Sequence, residues 1–176
     1  EFELYGTVRA IVCVCDSINY LESEEDLLEV FRLANNYLDP GGLFIFDMNT
    51  IHKYRDVIGD TTIAEDREDG SFIWENSYDR ENALNVYELA LFLPREDGLY
   101  EKCEEEHVQK AYSIEAIKAM IAKAGMELVA VCDAYTHNPG DENCERLTFV
   151  AREHGKSAQN GYHGKIPEKP DTHRAD

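Results

Sequence analysis

Apolar residues fill positions 8–15 and again 43–46, and between these runs Leu27, Phe31, Ala34 and Leu38 recur at steps of four, three and four. A strand that is apolar along its whole length is buried on both faces, whereas the stepped recurrence makes one stripe along a helix. Arg9 is the lone charge in the first run, which predicts a central or nearly central strand. Ser23 is placed to cap a helix over 24–38, with Asp26 three residues on in near capping-box spacing. Glu24 and Glu25 fall in the first turn, where the helix dipole favours anions. Asp39-Pro40-Gly41-Gly42 predicts the stop. Two such strands with a helix between them form a right-handed β-α-β unit with parallel strands. Both then finish on one edge of the sheet, the first at Asp16-Ser17-Ile18-Asn19-Tyr20 and the second at Asp47-Met48-Asn49-Thr50. In open α/β sheets that edge is where ligands bind.

After Ile51 the period changes. A short helix is predicted at 52–58, capped by Asn49 or Thr50, followed by four strand-like runs at 61–67, 71–79, 84–93 and 100–111. Asp69-Gly70, Arg80-Glu81-Asn82 and Glu96-Asp97-Gly98 supply the turns. Alternation puts Phe72, Trp74, Asn76 and Tyr78 on one face of the second run, and Tyr87, Leu89, Leu91 and Leu93 on one face of the third. The prediction is an antiparallel meander with one face closed against the main domain or a partner, because an isolated meander is marginal. Ser113 caps a second amphipathic helix over 114–124, which Gly125 stops. Strands at 126–134 and 147–152 follow, joined by a loop too short for a crossover helix and so antiparallel. The expected organisation is a partial α/β domain (1–60 and 112–154), a β insertion (61–111) and a flexible tail (155–176) rich in breakers and poor in apolar residues.

Charge narrows the choice of partner. Seventeen Lys and Arg against 36 Asp and Glu give a formal net charge of −19, a surface that repels phosphate backbones and anionic lipid. Nucleic acid and membrane are therefore not expected as partners. The five cysteines contain no Cys-x-x-Cys and are odd in number, which predicts reduced thiols and a cytoplasmic protein. No apolar run approaches the roughly 20 residues of a membrane span. The chain opens on Glu1 rather than Met and contains no Gly-x-Gly, which leads us to expect an excised portion of a longer protein.

The run V-C-V-C-D-S-I-N-Y-L, an acidic helix, and then L-D-P-G-G-L-F-I-F-D-M-N-T resemble the fourth and fifth strands of class I S-adenosylmethionine-dependent methyltransferases. The nearest resemblance is to the small bacterial group with an antiparallel insertion after the fifth strand, and it covers about residues 1 to 153. It implies a Rossmann-like α/β sheet in which the seventh strand lies antiparallel between the fifth and sixth. It also implies S-adenosylmethionine as cofactor, S-adenosylhomocysteine as product, no metal, and a small-molecule acceptor. The Gly-rich turn after strand one and the acidic residue after strand two have no counterpart here. This portion alone is therefore expected to bind cofactor weakly or not at all, and to cover its bare strand edge by forming a homodimer.

By the same resemblance, Cys15, Asp16 and Ser17 touch the methionine part of the cofactor. Asn19, Tyr20, Asp47, Asn49 and Trp74 line the acceptor site, and His107, in a Glu-x-His at the end of a strand, is the candidate catalytic base. Each has a plainer reading. Asp, Ser and Asn are ordinary turn and cap residues, Trp74 with Tyr78 suits packing, and the Glu104-Glu105-Glu106 run suits a solvated strand face. Asp47-x-Asn49 fails as a calcium loop, since His52 and Ile58 stand where Gly and Glu are required. A dehydrogenase would need a phosphate-binding glycine loop. The alternative function is a non-catalytic binding or assembly module derived from half of the fold.

Overall fold

The computed structural model describes residues 4–156. Strands β1 (Val8–Cys13) and β2 (Leu38–Asn49) pair in parallel with helix α1 (Glu24–Tyr37) between them in sequence, as the apolar pattern predicts. Ser23 accepts the Asp26 backbone N–H at 3.0 Å, and its hydroxyl in turn reaches the Asp26 carboxylate. Leu27, Phe31, Ala34 and Leu38 are all buried.

The insertion is a four-stranded antiparallel meander in sequence order, formed by β3 (Thr62–Arg67), β4 (Gly70–Asp79), β5 (Leu84–Pro94) and β6 (Tyr100–Lys110). Helix α2 (Ile114–Lys123), capped by Ser113, leads to β7 (Met126–Asp133) and β8 (Arg146–Glu153). The first sheet runs β1-β2-β8-β7, with β8 antiparallel to both of its neighbours. This is the predicted strand order.

The core lies between this sheet and the two helices. Phe31 from α1 meets Phe44 and Phe46 of β2 at ring-centroid distances of 5.7 and 5.1 Å, and Phe46 stacks on Phe149 of β8 at 5.1 Å. Ile117, Met120 and Ile121 close it from α2. Burying these large side chains is the main source of stability here, at about 2 kcal/mol each.

Several boundaries depart from the pattern. β1 ends at Cys13 rather than residue 15, because the chain turns left-handed at Cys15 and Asp16. β1 is also an edge strand of the described sheet rather than a central one, leaving Val12 61% exposed. Asp39-Pro40-Gly41-Gly42 does not separate helix from strand but forms a bulge inside β2, across which the register jumps from Val8–Leu38 to Ala10–Leu43. Gly41 takes the positive φ of 73° that this excursion needs. The predicted helix at 52–58 closes as a π turn (Lys53–Ile58), because Gly59 donates to the Tyr54 carbonyl. The first hairpin turns on Glu68-Asp69, and Gly70 is already paired with Arg67. The expected tail from 155 lies, from residue 157 on, outside the described residues. Lys156 itself is anchored, donating to the carbonyls of Asn36 (3.0 Å) and Leu38 (2.7 Å) at the C-terminal end of α1.

Candidate functional site

The chain leaves β1 through two successive left-handed residues, Cys15 (φ 62°) and Asp16 (φ 50°), before a single 3-10 turn at Ser17–Tyr20. That conformation costs a non-glycine residue about 1 kcal/mol, and it persists where surrounding contacts fix it. The contact here is direct: the Asp16 backbone N–H donates to Asp47 Oδ1 at 2.8 Å, joining the ends of β1 and β2.

Around this junction the side chains form one closed polar cluster. Arg146 opens β8 directly opposite Asn49 in the ladder. It donates through Nη2 to Asp16 Oδ1 (2.9 Å) and through Nη1 to Asp47 Oδ2 (3.2 Å). Asp16 Oδ2 accepts from Gln109 Nε2 (2.7 Å) and Asn49 Nδ2 (3.2 Å). The Tyr54 hydroxyl donates to Gln109 Oε1 (2.8 Å) and accepts from Asn49 (3.1 Å). Burial holds the Tyr54 phenol far above its usual range. Burial works against the Arg146 cation, yet Asp16 and Asp47 outweigh it and raise its pKa.

Asn19 has a different position from the one its sequence context suggested. It is fully buried, accepts from the Asn49 N–H (2.8 Å), and donates to the carbonyls of Asn49 (3.1 Å) and Lys110 (2.9 Å). Its side chain staples the first sheet to the meander, and no donor is left over for a ligand. Ser17 turns its hydroxyl back to the Val14 carbonyl at 2.7 Å, and Cys15 stands exposed at the edge.

A second cluster lies on the meander. His107 stacks on Tyr87 at 4.6 Å between ring centroids, with Nδ1 2.8 Å from the Tyr20 hydroxyl and Nε2 3.1 Å from Glu105 Oε2. The Tyr20 and Tyr87 hydroxyls are 3.1 Å apart. Burial, then the bond from Tyr20, raises the Tyr87 pKa. Trp74 packs against Tyr87 at 5.2 Å.

The two clusters share a cavity of about 280 Å³, lined by Asp16, Asn49, Lys53, Tyr54, Trp74, Asn85, Tyr87, Leu89, Gln109 and Arg146. Of the sequence candidates, Asp16, Asn49 and Trp74 reach its wall. Asp47, Tyr20 and His107 contact that wall through Arg146 and Tyr87, and Cys15 and Ser17 lie outside it. Sequence reasoning missed Arg146, Gln109, Tyr54, Lys53 and Tyr87. Gln109 had a signal, since it follows Glu105 and His107 at strand spacing on one face of β6. A smaller hollow of about 140 Å³ opens beside Met48 and Leu147, with Thr50 on its rim.

No family model matches the chain. It is 29% identical over 147 residues to the Bacillus subtilis (strain 168) protein named "Putative methyltransferase YqeM", covering 84% of this chain and 59% of that protein. A Geobacillus sp. (strain WCH70) protein named "Putative methyltransferase GWCH70_2453" is 29% identical over 153 residues, covering 86% and 62%. The crystal structure of an S-adenosylmethionine-dependent methyltransferase from Clostridium acetobutylicum ATCC 824 superposes with a TM-score of 0.81 at 27% identity, covering 88% of this chain and 62% of that one. The fold is that of the class I methyltransferases. The chain spans about three fifths of the length of these methyltransferase relatives. Within this chain the sheet order β1-β2-β8-β7 agrees with the order the sequence resemblance implied, β8 lying between β2 and β7. SAM-bound CalS10, an amino pentose methyltransferase from Micromonospora echinaspora, has the same fold with a TM-score of 0.65 at 18% identity.

Proposed function

We propose that this chain forms the acceptor-side part of an S-adenosylmethionine-dependent methyltransferase acting on a small molecule. The observation that carries the reading is the junction of Asp16 and Asp47 at the common edge of β1 and β2, opening onto a cavity walled by the insertion. The donor set at that edge fits the methionine end of the cofactor. Cys15 and Ser17 lie exposed at that edge beside Asp16, whose carboxylate is held in place by Arg146, Gln109 and Asn49. When bound, the cofactor supplies the methyl group on a sulfonium, a good leaving group, so the protein's work is alignment and removal of a proton from the acceptor.

In this reading Cys15, Asp16 and Ser17 hold the cofactor, while Asn49 and Trp74 line the acceptor side. Asn19 and Asp47 fix the positions of Asn49 and Asp16. The proton leaves the acceptor through the Tyr87 and Tyr20 hydroxyls to Nδ1 of His107, whose Nε2–H donates to Glu105. His107 thus ends as an imidazolium beside a carboxylate, a favourable place for the charge.

The exposed apolar edge of β1, with Val8, Val12 and Val14, favours a second reading as an assembly module in which that edge meets a second copy. Isothermal titration of S-adenosylhomocysteine separates the two. Binding to a chain extended to the relatives' full length, with weak or no binding to these 176 residues, supports the methyltransferase reading. No binding to either favours the assembly module.

A further inference from the structure

Lys53 projects from the π turn after β2 into the wall of the 280 Å³ cavity, and its ammonium has one protein partner among the described residues, Asn49 Oδ1 at 3.0 Å. Its other two N–H donors meet no protein acceptor among the described residues. Of the carboxylates that attract Lys53, Glu145 is exposed, and Asp16 and Asp47 are already engaged. Asp16 is held by Arg146, Gln109 and Asn49, and Asp47 by Arg146, Tyr135 and the Asp16 N–H. Lys53 is part-exposed, so its ammonium can exchange solvent for the oxygen atoms of a bound anion in a charge-assisted pairing. Burial, followed by repulsion from Arg146, also lowers the Lys53 pKa, the condition that a bound anion relieves. Trp74, Tyr87 and Leu89 give the cavity an apolar side, with the two rings inclined at 56° to one another.

We propose that the cavity takes a small, flat molecule bearing a carboxylate, with Lys53 holding the carboxylate and the ring lying against Trp74 and Tyr87. Lys53 is then a specificity-determining residue, selecting acids over neutral analogues and rejecting protonated amines. Only the description of this molecule as the methyl acceptor rests on the methyltransferase reading.

Trp74 is the one tryptophan in the chain, so its emission reports directly on the cavity. The test titrates para-hydroxybenzoate, para-hydroxybenzamide and tyramine into the 176-residue chain and follows fluorescence. The expected result is saturable quenching by the carboxylate at a concentration at least about tenfold below that needed for the amide, and no saturation by the amine. Lys53→Met should abolish the preference and Lys53→Arg should keep it, with circular dichroism confirming the fold of each. Equal or tighter binding of the amide or amine, or no quenching by the carboxylate up to about 10 mM, overturns the proposal on the unmodified chain alone. A preference that survives in Lys53→Met overturns the role of that residue. Because no cofactor or turnover enters the experiment, carboxylate binding together with a failed S-adenosylhomocysteine titration would leave this inference standing and remove the methyltransferase reading.

Discussion

Arg146 reaches Asp16 at 2.9 Å across 130 residues of sequence and, through its other terminal nitrogen, Asp47 at 3.2 Å. A single guanidinium thus links the ends of three strands, β1, β2 and β8. Asp47 is 2% exposed, so loss of this partner leaves a desolvated carboxylate with only neutral donors. Arg146→Met is expected to destabilise the fold by about 3 kcal/mol, read from urea unfolding. Arg146→Lys should recover part of this, because one ammonium cannot serve both carboxylates in the geometry of a fork. A loss below about 0.5 kcal/mol for Arg146→Met would mean that the cluster is not a structural keystone.

Asn19 makes three hydrogen bonds to backbone atoms from a fully buried position. Asn19→Ala should cost about 2 to 4 kcal/mol, and Asn19→Asp at least as much, because a carboxylate cannot donate to the Asn49 and Lys110 carbonyls. Thermal unfolding of the two variants checks this. A lower melting temperature for Asn19→Ala than for Asn19→Asp would contradict the bonding described.

Gly140 illustrates close approach rather than backbone conformation. A Cβ there would sit 2.7 Å from the Cys132 carbonyl carbon and 2.9 Å from the Asp133 nitrogen. Gly140→Ala must push the β7–β8 loop outward, and with it the start of β8 that carries Arg146. The expected cost is about 1 to 3 kcal/mol in chemical denaturation. An unchanged midpoint would show that the loop moves freely.

Alkaline pH should act through opposed groups: burial raises the phenols of Tyr54, Tyr78, Tyr87 and Tyr112, while Lys53 is shifted down. Burial raises the Tyr112 phenol to about 12, so between about pH 10 and 12 the folded chain keeps a proton that the unfolded chain has lost, and stability falls as pH rises. Lys53 is shifted down, so as pH rises through its folded pKa toward the ordinary lysine value the unfolded chain holds the extra proton, and stability rises. Lys53→Met should remove the rising part and Tyr112→Phe should soften the fall, both measured as unfolding free energy against pH. Identical pH profiles for the variants and the unmodified chain would refute the assignment.

The β-α-β unit, both helix caps and the meander were legible because each rests on neighbours within a few residues: steps of three and four along α1, alternation along β4 and β5, and Ser23 and Ser113 as caps. The polar cluster was only half legible. Asp16 and Asp47 announce themselves at the ends of apolar runs. Their partners Gln109 and Arg146 lie 93 and 130 residues from Asp16, Arg146 brought in by the pairing of β8 with β2 and Gln109 by β6 of the meander. Asn19 shows the converse. Its position beside Asp16 suggested a ligand contact, but burial between β2 and β6 spends its side chain on backbone. Tyr54 was hidden in the polar stretch Lys53–Ile58, where the π turn rather than any apolar repeat carries it inward.

The most direct test of the central claim is to add S-adenosylhomocysteine to a ¹⁵N-labelled chain extended to the relatives' length and follow its amide resonances. Shifts are expected at Cys15, Asp16 and Ser17 and at Asp47, with smaller changes at Tyr87 and His107 on the meander. Saturable binding with shifts confined to residues far from the β1 and β2 ends, or no shifts at all, would contradict it.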